Sequence, residues 1–556
     1  MGRDTTNWQD RMKQGLAGEP RIRPRDPSIH RVGHDDEHPI DEQARSCPKA
    51  HEWAKARQIE REKLQKYGVY TIVNQLPPGI QPVDTKWVYD VKKDSAGHIT
   101  RYRARKVVRG FTQEYGLNYH ETFSQMARSE SWRVLLAIAI NTPDWTVMQW
   151  DVKAAYLQAD LDPEHQLYVK DLTETGETEY WKLQVHKALY GLKQAGHQWY
   201  NRMRAIMANA GLTQCVGDPG CFYQGQPATM IFSTHVDDMA GYGPLPELIA
   251  FEKAVEREVE LEKLGKPTKL LGMELTWTEG KTISVKLTQQ NSIGKIMKEH
   301  EIQEVPNKSI PLDPTGYAEP TEPEVLSQKE IKTYQSLVGS LLYINRMTRP
   351  DISLHVNLLG RRTSKPGTNN LRTAKQLEQY LASTKKEGLQ ITKTDQQEVQ
   401  IVLYADASNG GENSRSQSGS LAILYGTPVI WGSRRQDVVS MSITEAEYIA
   451  CSETAKDSQW IVQFLMELGI NKNKEGLRIT PTLHTDNEAA LKLTKTQRFH
   501  RRTRHIEHRF HYIRELVDQK AIRITGIKGK NNSADPLTKF LPMSTIGRWK
   551  TEISIG

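Results

Sequence analysis

The stretch MIFSTHVDDM, residues 230–239, predicts a strand, a tight turn and a returning strand. Two neighbouring carboxylates, Asp237 and Asp238, fall at the turn. Ionised carboxylates ~4 Å apart repel each other by roughly 1 kcal/mol in water and by several times more near a protein surface. A bound divalent cation reverses the sign of that interaction, which is the usual reason for such a placement; a solvated Asp-Asp turn is the alternative.

A third acid ends another predicted strand. Residues 145–151 read WTVMQWD and finish on Asp151, after an apolar helix predicted over residues 132–140. If the two strands lie side by side, Asp151 faces Asp237 and Asp238. Three acids that converge from strand ends form the ligand set of a two-cation site for in-line phosphoryl transfer.

Length and composition bound the protein class. At 556 residues the chain has room for roughly three or four domains. No apolar run approaches the ~20 residues of a membrane-spanning helix, and the start lacks an apolar signal-peptide core. The four cysteines show no paired close spacing, which argues against a disulfide framework or a zinc knuckle. The net charge of +8 is compatible with a polyanionic partner without requiring one.

A basic hairpin is predicted upstream of these acids, with strands over residues 86–91 and 101–105. Side chains alternate along a strand, so the arginines of the second strand share one face. They are Arg101, Arg103 and Arg105, followed by Lys106. Three guanidiniums in a row suit phosphate contacts, whereas a solvated basic edge strand is the alternative. Beside the acids, the hairpin predicts a triphosphate or template clamp.

A second series of carboxylates lies in the last third of the chain, which alternates predicted strands with a long helix over residues 443–468. Asp406 ends the first of these strands, and Glu447 lies within the helix. Ser442 and Glu445 have the spacing of a capping box, which gives Glu445 a structural role. Glu447 is then free to point at Asp406.

Two more acids complete this series. Asp486 ends a later strand, and Asp535 is expected on a late helix; a helix cap is the alternative for both, and a solvated loop acid for Asp535. Between them, residues 500–511 carry three histidines at three-residue intervals, His505, His508 and His511. A zinc site is one interpretation, but no cysteines support it. A basic face on a nucleic-acid backbone is favoured.

Several runs of the chain resemble the reverse transcriptase of copia-type LTR retrotransposons. They are residues 85–89 (TKWVY), 102–105 (YRAR), 110–113 (GFTQ), 151–157 (DVKAAYL), 189–194 (LYGLKQ), 236–238 (VDD), 334–343 (YQSLVGSLLY) and 348–352 (TRPDI). The resemblance covers roughly residues 50–545 in collinear order. It implies a fingers-palm-thumb polymerase in which the first three acids bind metal ions.

The resemblance also implies roles for single residues. Tyr156 matches the aromatic residue beneath the incoming sugar, where a ring clashes with a 2′-hydroxyl; a core tyrosine is the alternative. Gln194 is expected to contact the nucleotide or template. The family has tyrosine before Val-Asp-Asp, whereas this chain has His235, which weakens the expectation of full activity.

The acids of the second series resemble those of ribonuclease H, which copia-type elements carry directly after the polymerase. Asp406, Glu447, Asp486 and Asp535 would hold two divalent cations that activate a water against the RNA strand of an RNA–DNA hybrid. Glu445 is the alternative glutamate. The loop over residues 528–531 (KGKN) lacks the histidine that cellular members of the fold often have there.

We therefore expect an α/β and α+β multidomain protein, a fingers-palm-thumb polymerase followed by a ribonuclease H-like α/β domain. The expected segments are a polar, poorly ordered extension (1–50), fingers and palm (51–300), linker and thumb or connection (301–395) and a ribonuclease H-like domain (396–556). Residues 248–264 are expected to be helical, as is most of 334–381. The expected ligands are an RNA template, a DNA primer, the RNA–DNA hybrid, deoxynucleoside triphosphates and two Mg²⁺ per site, with Mn²⁺ as a substitute. Oligomeric state is left open.

The expected location is intracellular, in cytoplasmic virus-like particles and the nucleus, with no membrane partner. The chain has neither a zinc knuckle nor an Asp-Ser/Thr-Gly protease motif, so a processed fragment or a truncated copy of a family polyprotein is expected. A decayed or domesticated copy that binds nucleic acid without catalysis is the alternative function. The seven acids favour the enzyme, whereas His235 and the missing upstream domains favour decay.

Overall fold

The computed structural model describes residues 38–93, 98–164, 166–172, 180–280, 282–319, 326–395, 399–408, 415–470, 478–495 and 507–556. The chain divides into two units. The first comprises the chain up to Glu114 together with Gln166–Leu192, and the second comprises Tyr115–His165 and Lys193–Gly556.

The helices are numbered in chain order. They are α1 (Asp41–Ser46), α2 (Ala50–Lys66), α3 (Ser129–Asn141), α4 (Ala195–Asn209), α5 (Leu245–Val255), α6 (Gln290–Glu299), α7 (Gln328–Met347), α8 (Ser353–Gly360), α9 (Thr368–Ser383), α10 (Ile443–Glu467), α11 (Glu488–Lys495), α12 (Glu507–Asp518) and α13 (Met543–Glu552). Among the described residues, no helix combines the length and apolarity needed to cross a membrane.

The strands are numbered in the same way. They are β1 (Tyr70–Val73), β2 (Thr85–Lys93), β3 (Ile99–Val108), β4 (Trp145–Val152), β5 (Leu167–Leu172), β6 (Tyr180–Val185), β7 (Thr213–Gln214), β8 (Cys221–Gln224), β9 (Met230–His235), β10 (Asp238–Pro244), β11 (Leu261–Gly265), β12 (Lys269–Leu270), β13 (Met273–Thr278), β14 (Ser284–Thr288), β15 (Leu389–Thr392), β16 (Ile401–Ser408), β17 (Gln417–Leu424), β18 (Thr427–Arg435), β19 (Thr482–Thr485) and β20 (Arg523–Gly526).

In the first unit, helix α2 packs on the antiparallel β2–β3 ribbon, which is the predicted basic hairpin. Trp53 of the helix is fully buried and meets the rings of Tyr89 and Tyr102 edge-on, with centroids 5.2 and 4.6 Å away. Such pairs add about 1 kcal/mol beyond area burial, so they fix the helix on the ribbon. A second sheet in this unit has the order β1–β6–β5.

In the second unit, a six-stranded sheet has the order β11–β4–β10–β9–β8–β7. Helix α3 is mostly apolar and its residues 131–140 are all buried, as expected for a helix inside a core. The helix expected over residues 248–264 is wrong in its second half: α5 ends at Val255, and Leu261–Gly265 forms β11. Pairing of β11 with β4 satisfies backbone groups that helical geometry would have satisfied locally.

A five-stranded sheet follows in the order β18–β17–β16–β19–β20. β16, β17 and β18 form an antiparallel meander, whereas β19 pairs parallel with β16 and β20 parallel with β19. A parallel neighbour requires a crossover connection, and the 25-residue helix α10 provides it. Because β16 and β19 run in the same direction, their carboxyl ends lie at one edge of the sheet.

Helices α7, α8 and α9 confirm the helical prediction for residues 334–381. They enclose an apolar cluster that includes Tyr334, Leu341 and Leu377. The Arg349–Asp351 ion pair lies nearby with both side chains fully buried and Nη2–Oδ2 at 2.8 Å.

Candidate functional site

In the six-stranded sheet, Asp151 lies next to the Asp237–Asp238 turn, as the sequence predicted. β4 and β10 pair antiparallel with Asp151 directly opposite Asp238, and β9 and β10 pair with His235 opposite Asp238. The amide of Val152 donates to the carbonyl of Asp237 at 2.9 Å. Opposite residues of an antiparallel pair have Cβ atoms roughly 5 Å apart. The three carboxylates therefore emerge from one end of a two-strand ladder.

The turn itself is held in an uncommon conformation. Val236 has φ +59°, a left-handed backbone that a β-branched residue rarely adopts. Its carbonyl accepts a 2.6 Å hydrogen bond from the Trp199 indole on α4. Strain of this kind costs on the order of 1–3 kcal/mol and persists only where the surroundings impose it. The turn is thus fixed by its neighbours rather than by its own sequence.

The acids at this turn influence one another. Burial, followed by the charge of Asp237, raises the pKa of Asp238, and the Gln149 amide opposes this by donating to Asp238 Oδ1 at 3.3 Å. Burial and then Asp237 also raise the pKa of Tyr156, so that phenol lies within electrostatic reach of the carboxylate. Within the described part of the chain, the oxygens of Asp151, Asp237 and Asp238 do not all come within 4.8 Å of one another.

The predicted basic residues belong to the first unit. On β3, Arg105 is exposed and Arg103 is half-buried, as expected for one face of the ribbon. Lys106 lies on the other face, only 5% exposed, with its ammonium 4.9 Å from the centroid of the Trp87 ring. The ribbon therefore presents the arginines and not Lys106 on its open face.

Gln194 lies in the second unit, directly before α4, and is 4% exposed. Its amide donates to the carbonyl of Asn118 at 3.0 Å. It lines a cavity of about 230 Å³ together with Glu121, Asp162 and His197.

The second carboxylate series forms a tighter cluster. One oxygen from each of Asp406, Glu447 and Asp486 lies within 4.8 Å of the other two. Asp406 is fully buried on the central strand β16, Glu447 lies in the second turn of α10, and Asp486 directly follows β19. Parallel pairing of β16 and β19 brings the two aspartates to one edge, and the crossover helix brings the glutamate over it.

The hydrogen bonds within this cluster do not compensate the negative charge of its carboxylates. Burial, followed by the charges of Asp406 and Asp486, raises the pKa of Glu447 to about 8. Its Oε2 is buried and has no hydrogen-bond partner among the described residues. Oxygen-rich carboxylate sets are the ligands of hard divalent cations such as Mg²⁺. The orphaned oxygen and the three converging carboxylates fit such an ion.

Lys539 is a site residue that the sequence did not reveal. Its ammonium lies 3.1 Å from Asp406 Oδ1 and 2.8 Å from Asp535 Oδ1, and Thr538 donates to the other oxygen of Asp406. Asp535 stands four residues before Lys539, so the sequence spacing could have indicated this ion pair. Asp406 is 133 residues away, so its contact with Lys539 has no signal in the sequence. Burial, with Asp406 and Asp486 contributing, raises the pKa of Asp535 to about 6.

The structure decides between several sequence alternatives. Asn487, not Asp486, caps α11, because its Oδ1 accepts from the amide of Ala490 at 2.8 Å. Ser442 caps α10 as predicted, and Glu445 accepts from the amide of Met441 at that helix start.

The late helix expected at Asp535 is wrong. The acid opens a single 3₁₀ turn, Asp535–Leu537, and the following Pro536 has no N–H to donate. The side chains of His505, His508 and His511, and residues 94–97 between the two predicted strands of the basic hairpin, lie outside the described residues.

Comparison with known proteins gives a consistent result. Residues 67–314 match the family model "Reverse transcriptase (RNA-dependent DNA polymerase)". The chain is 33% identical to the Retrovirus-related Pol polyprotein from transposon TNT 1-94 of Nicotiana tabacum, over 89% of this chain and 37% of that protein. It is 30% identical to the Pol polyprotein from transposon RE1 of Arabidopsis thaliana, over 87% of this chain and 32% of that protein.

A shorter relative is matched almost in full. The chain is 30% identical to a putative transposon Ty5-1 protein of Saccharomyces cerevisiae, over 55% of this chain and 99% of that protein. Of the tobacco and Arabidopsis polyproteins, by contrast, the chain spans only about a third of the length. The chain therefore belongs to the copia-type retrotransposon Pol family, and it contains that family's reverse transcriptase domain.

Proposed function

We propose that the chain is an active RNA-directed DNA polymerase, in which Asp151, Asp237 and Asp238 hold two Mg²⁺ ions. The observation that carries this proposal is the register of β4 against β10, which sets Asp151 opposite Asp238 beside the strained turn. The donor set fits, since all three are carboxylates at strand ends. Divalent cations at such a site activate a hydroxyl nucleophile and neutralise charge on the phosphates.

Other residues of the chain would bind the phosphates and select the nucleotide. Tyr156, within electrostatic reach of Asp237, would exclude a 2′-hydroxyl and so select deoxyribonucleotides. Arg103 and Arg105 on the open face of the ribbon would contact template or triphosphate phosphates, and Gln194 would position the nucleotide or template. Lys106 was expected to contact phosphate as well, but its buried ammonium lies over the Trp87 ring on the other face of the ribbon, so the arginines would carry this role.

The five-stranded sheet supports a second activity, cleavage of the RNA strand of an RNA–DNA hybrid. An antiparallel meander followed by two parallel strands, with acids at one edge, is the arrangement expected of a ribonuclease H-like domain. Asp406, Glu447 and Asp486 would hold divalent cations, with Asp535 joining them. These acids would bind the ions and orient a water toward the scissile phosphate.

A binding protein without catalysis is the second candidate. His235 stands where the family has tyrosine, and it pairs with Asp238 across the turn. An imidazole there stands in place of the family's phenol beside the acids proposed to bind metal, which is the specific observation in favour of lost activity.

The polymerase proposal is tested by primer extension on an RNA template. The wild-type chain should extend a DNA primer, and the Asp237→Asn, Asp238→Asn double variant should not, because neutral amides do not replace two anionic ligands. Asp395→Asn removes an exposed acid and serves as the control. If wild type and double variant extend equally poorly and bind hybrid equally well, the binding-only function is correct.

The nuclease proposal has its own test. Asp486→Asn should stop cleavage of a labelled RNA–DNA hybrid while primer extension continues at the wild-type rate. Loss of both activities with an unchanged melting temperature would show that the two carboxylate sets do not act separately.

A further inference from the structure

Directly after β4 the chain makes a sharp turn, and this turn carries Tyr156. Ala154 has φ +52° and ψ +43°, a left-handed conformation that a residue with a Cβ atom rarely adopts. A single 3₁₀ turn, Ala155–Gln158, follows it. Ala155 and Leu157 are 5% and 0% exposed and anchor this turn in the core, whereas Tyr156 between them is half-buried. A strained residue persists only where its surroundings impose the conformation, so contacts around the turn must supply the restraint.

The start of the turn is hydrogen-bonded to two other segments of the same unit. The amide of Val152 donates to the carbonyl of Asp237 at 2.9 Å, and the amide of Lys153 donates to the carbonyl of Glu260 at 3.0 Å. Glu260 directly precedes β11, which pairs with β4. These bonds fix the backbone where it leaves β4, up to the left-handed residue.

The end of the turn is fixed by a side chain, that of Gln158. Its Nε2 donates to the carbonyl of Lys153 at 2.7 Å, and its Oε1 accepts from the amide of Glu260 at 3.4 Å. A carboxamide offers the same donor and acceptor as a peptide group, so it can stand between a carbonyl and an amide as a peptide group does in a sheet. The Gln158 side chain therefore bridges Lys153 and Glu260, the two residues whose backbones already meet.

The bridge lies close to the surface. Lys153 is exposed and Gln158 is half-buried, whereas the apolar anchors Ala155 and Leu157 do not depend on the hydrogen bonds of the bridge. Surface substitutions away from core packing usually change the free energy of unfolding little. Loss of the bridge should accordingly free the turn without unfolding the six-stranded sheet.

Tyr156 stands between the two fixed ends of the turn. Burial, followed by the charge of Asp237, raises the pKa of Tyr156, which puts the phenol within electrostatic reach of that carboxylate. A ring that excludes a 2′-hydroxyl acts by contact, and a misplacement of about 1 Å in such a site can change a rate by about a hundredfold. The position of the ring, and so the selection of the sugar, depends on what holds the turn.

We propose that Gln158 is a positioning residue for nucleotide selection, because its side-chain amide holds the Tyr156 turn against the segment before β11. The role rests on the proposed polymerase function, in which Tyr156 excludes ribonucleotides, and adds a residue that acts on the substrate through Tyr156. The substrate is a deoxynucleoside triphosphate, and the competitor that the bridge helps to reject is the matching ribonucleoside triphosphate.

The test measures kcat/KM for insertion of one deoxynucleotide and of the matching ribonucleotide by the full-length chain on a primed RNA template. Gln158→Leu should lower the ratio of the two values by at least about tenfold, because a turn that is less restrained lets the ring move away from the 2′-hydroxyl. Most of the change should be a higher kcat/KM for the ribonucleotide. Gln158→Glu keeps the acceptor for the Glu260 amide but loses the donor to Lys153, so its ratio should lie between those of wild type and Gln158→Leu.

Gln335→Leu is the matched control, since it removes an exposed amide-to-carbonyl hydrogen bond of 2.9 Å, from α7 to Thr363. It should leave the ratio unchanged. In a Tyr156→Ala background, Gln158→Leu should change the ratio no further, because residues that act as one unit are not additive. A full additional loss in that background would overturn the proposal, as would an unchanged ratio in Gln158→Leu or an equal loss with both nucleotides.

A second measurement does not depend on activity. If the wild-type chain extends no primer, the polymerase function fails, and hydrogen exchange of backbone amides decides the bridge. The amides of Leu157 and Ala159, which close the 3₁₀ turn, and of Glu260 should exchange faster in Gln158→Leu than in wild type or Gln335→Leu. Equal exchange rates would show that Gln158 does not hold the turn and would overturn the proposal on their own.

Discussion

Glu447 has a strongly raised pKa within the second carboxylate cluster. Burial and the two neighbouring aspartates raise its pKa from 4.5 to about 8, so the metal-free folded chain binds a proton that the unfolded chain releases at neutral pH. The protonated form's contribution to stability is therefore complete at low pH and is lost as the pH rises from about 4.5 through about 8.

Glu447→Gln should accordingly stabilise the metal-free protein above pH 8, by on the order of 2 kcal/mol, and change little at pH 5. Melting temperatures in EDTA at the two pH values check this. The same variant should lose hybrid cleavage, because a neutral amide is a poorer cation ligand. An equal gain at both pH values would show that ionisation of Glu447 is not the cause.

Lys539, unlike Glu447, stabilises the folded chain through its charged form. Its ammonium lies between Asp406 and Asp535, and these carboxylates raise its pKa although burial lowers it. A lysine with a raised pKa contributes its stability fully below about pH 10.5, so the contribution is complete at neutral pH.

Lys539→Met should destabilise the metal-free chain by on the order of 1 kcal/mol, a modest value because the lysine is partly exposed. The rise in melting temperature on adding Mg²⁺ should be larger than in wild type, since the ammonium no longer competes with the cation. Lys530→Met, in the exposed loop before Asp535, is the control. A smaller Mg²⁺ effect in Lys539→Met would mean that the lysine assists the cation instead.

At the scale of elements, strands with strong local patterns were predictable. The hairpin predicted over residues 230–242 and the strand that ends at Asp151 were found because apolar runs were bounded by turn residues. β11 was missed because its residues 261–264 (LEKL) also fit a helix, and only pairing with β4, a contact distant in sequence, decides. Lys539 was missed for the same reason, since sequence spacing shows its local partner and not Asp406.

Gly241 tests how closely the β9–β10 hairpin packs against its neighbours. A Cβ atom there would lie 2.6 Å from Phe232 Cε1 and 2.9 Å from Trp150 Cζ3. Gly241→Ala should therefore displace β10 from its neighbours, cost about 1–3 kcal/mol and reduce primer extension while hybrid cleavage persists. Gly339→Ala, in open space on α7, should stabilise slightly through helix propensity. Primer extension and melting curves of both variants distinguish lost packing from a general effect of the methyl group.

At the scale of the whole second unit, the two sheets share one apolar core. Trp132 of α3, Tyr242 of β10 and Leu403 of β16 belong to the same buried cluster, which the linear sequence does not show. Arg133 joins these parts with polar contacts: it donates to the carbonyl of Val429 at 2.9 Å and to that of Arg346 at 2.8 Å. The side chain is 1% exposed and burial lowers its pKa to about 10.

Arg133→Met should then destabilise the six-stranded and five-stranded sheets together, by about 3–5 kcal/mol, because it leaves buried carbonyl groups on two elements without a donor. Residual primer extension and hybrid cleavage after heating should decline at the same, lower temperature, whereas Arg372→Met, which removes an exposed arginine, should leave both profiles unchanged. If one activity survived heating that destroyed the other, the two sheets would unfold independently in spite of their common core. A joint loss would mean that the six-stranded sheet and the sheet that carries the second carboxylate cluster unfold as one unit.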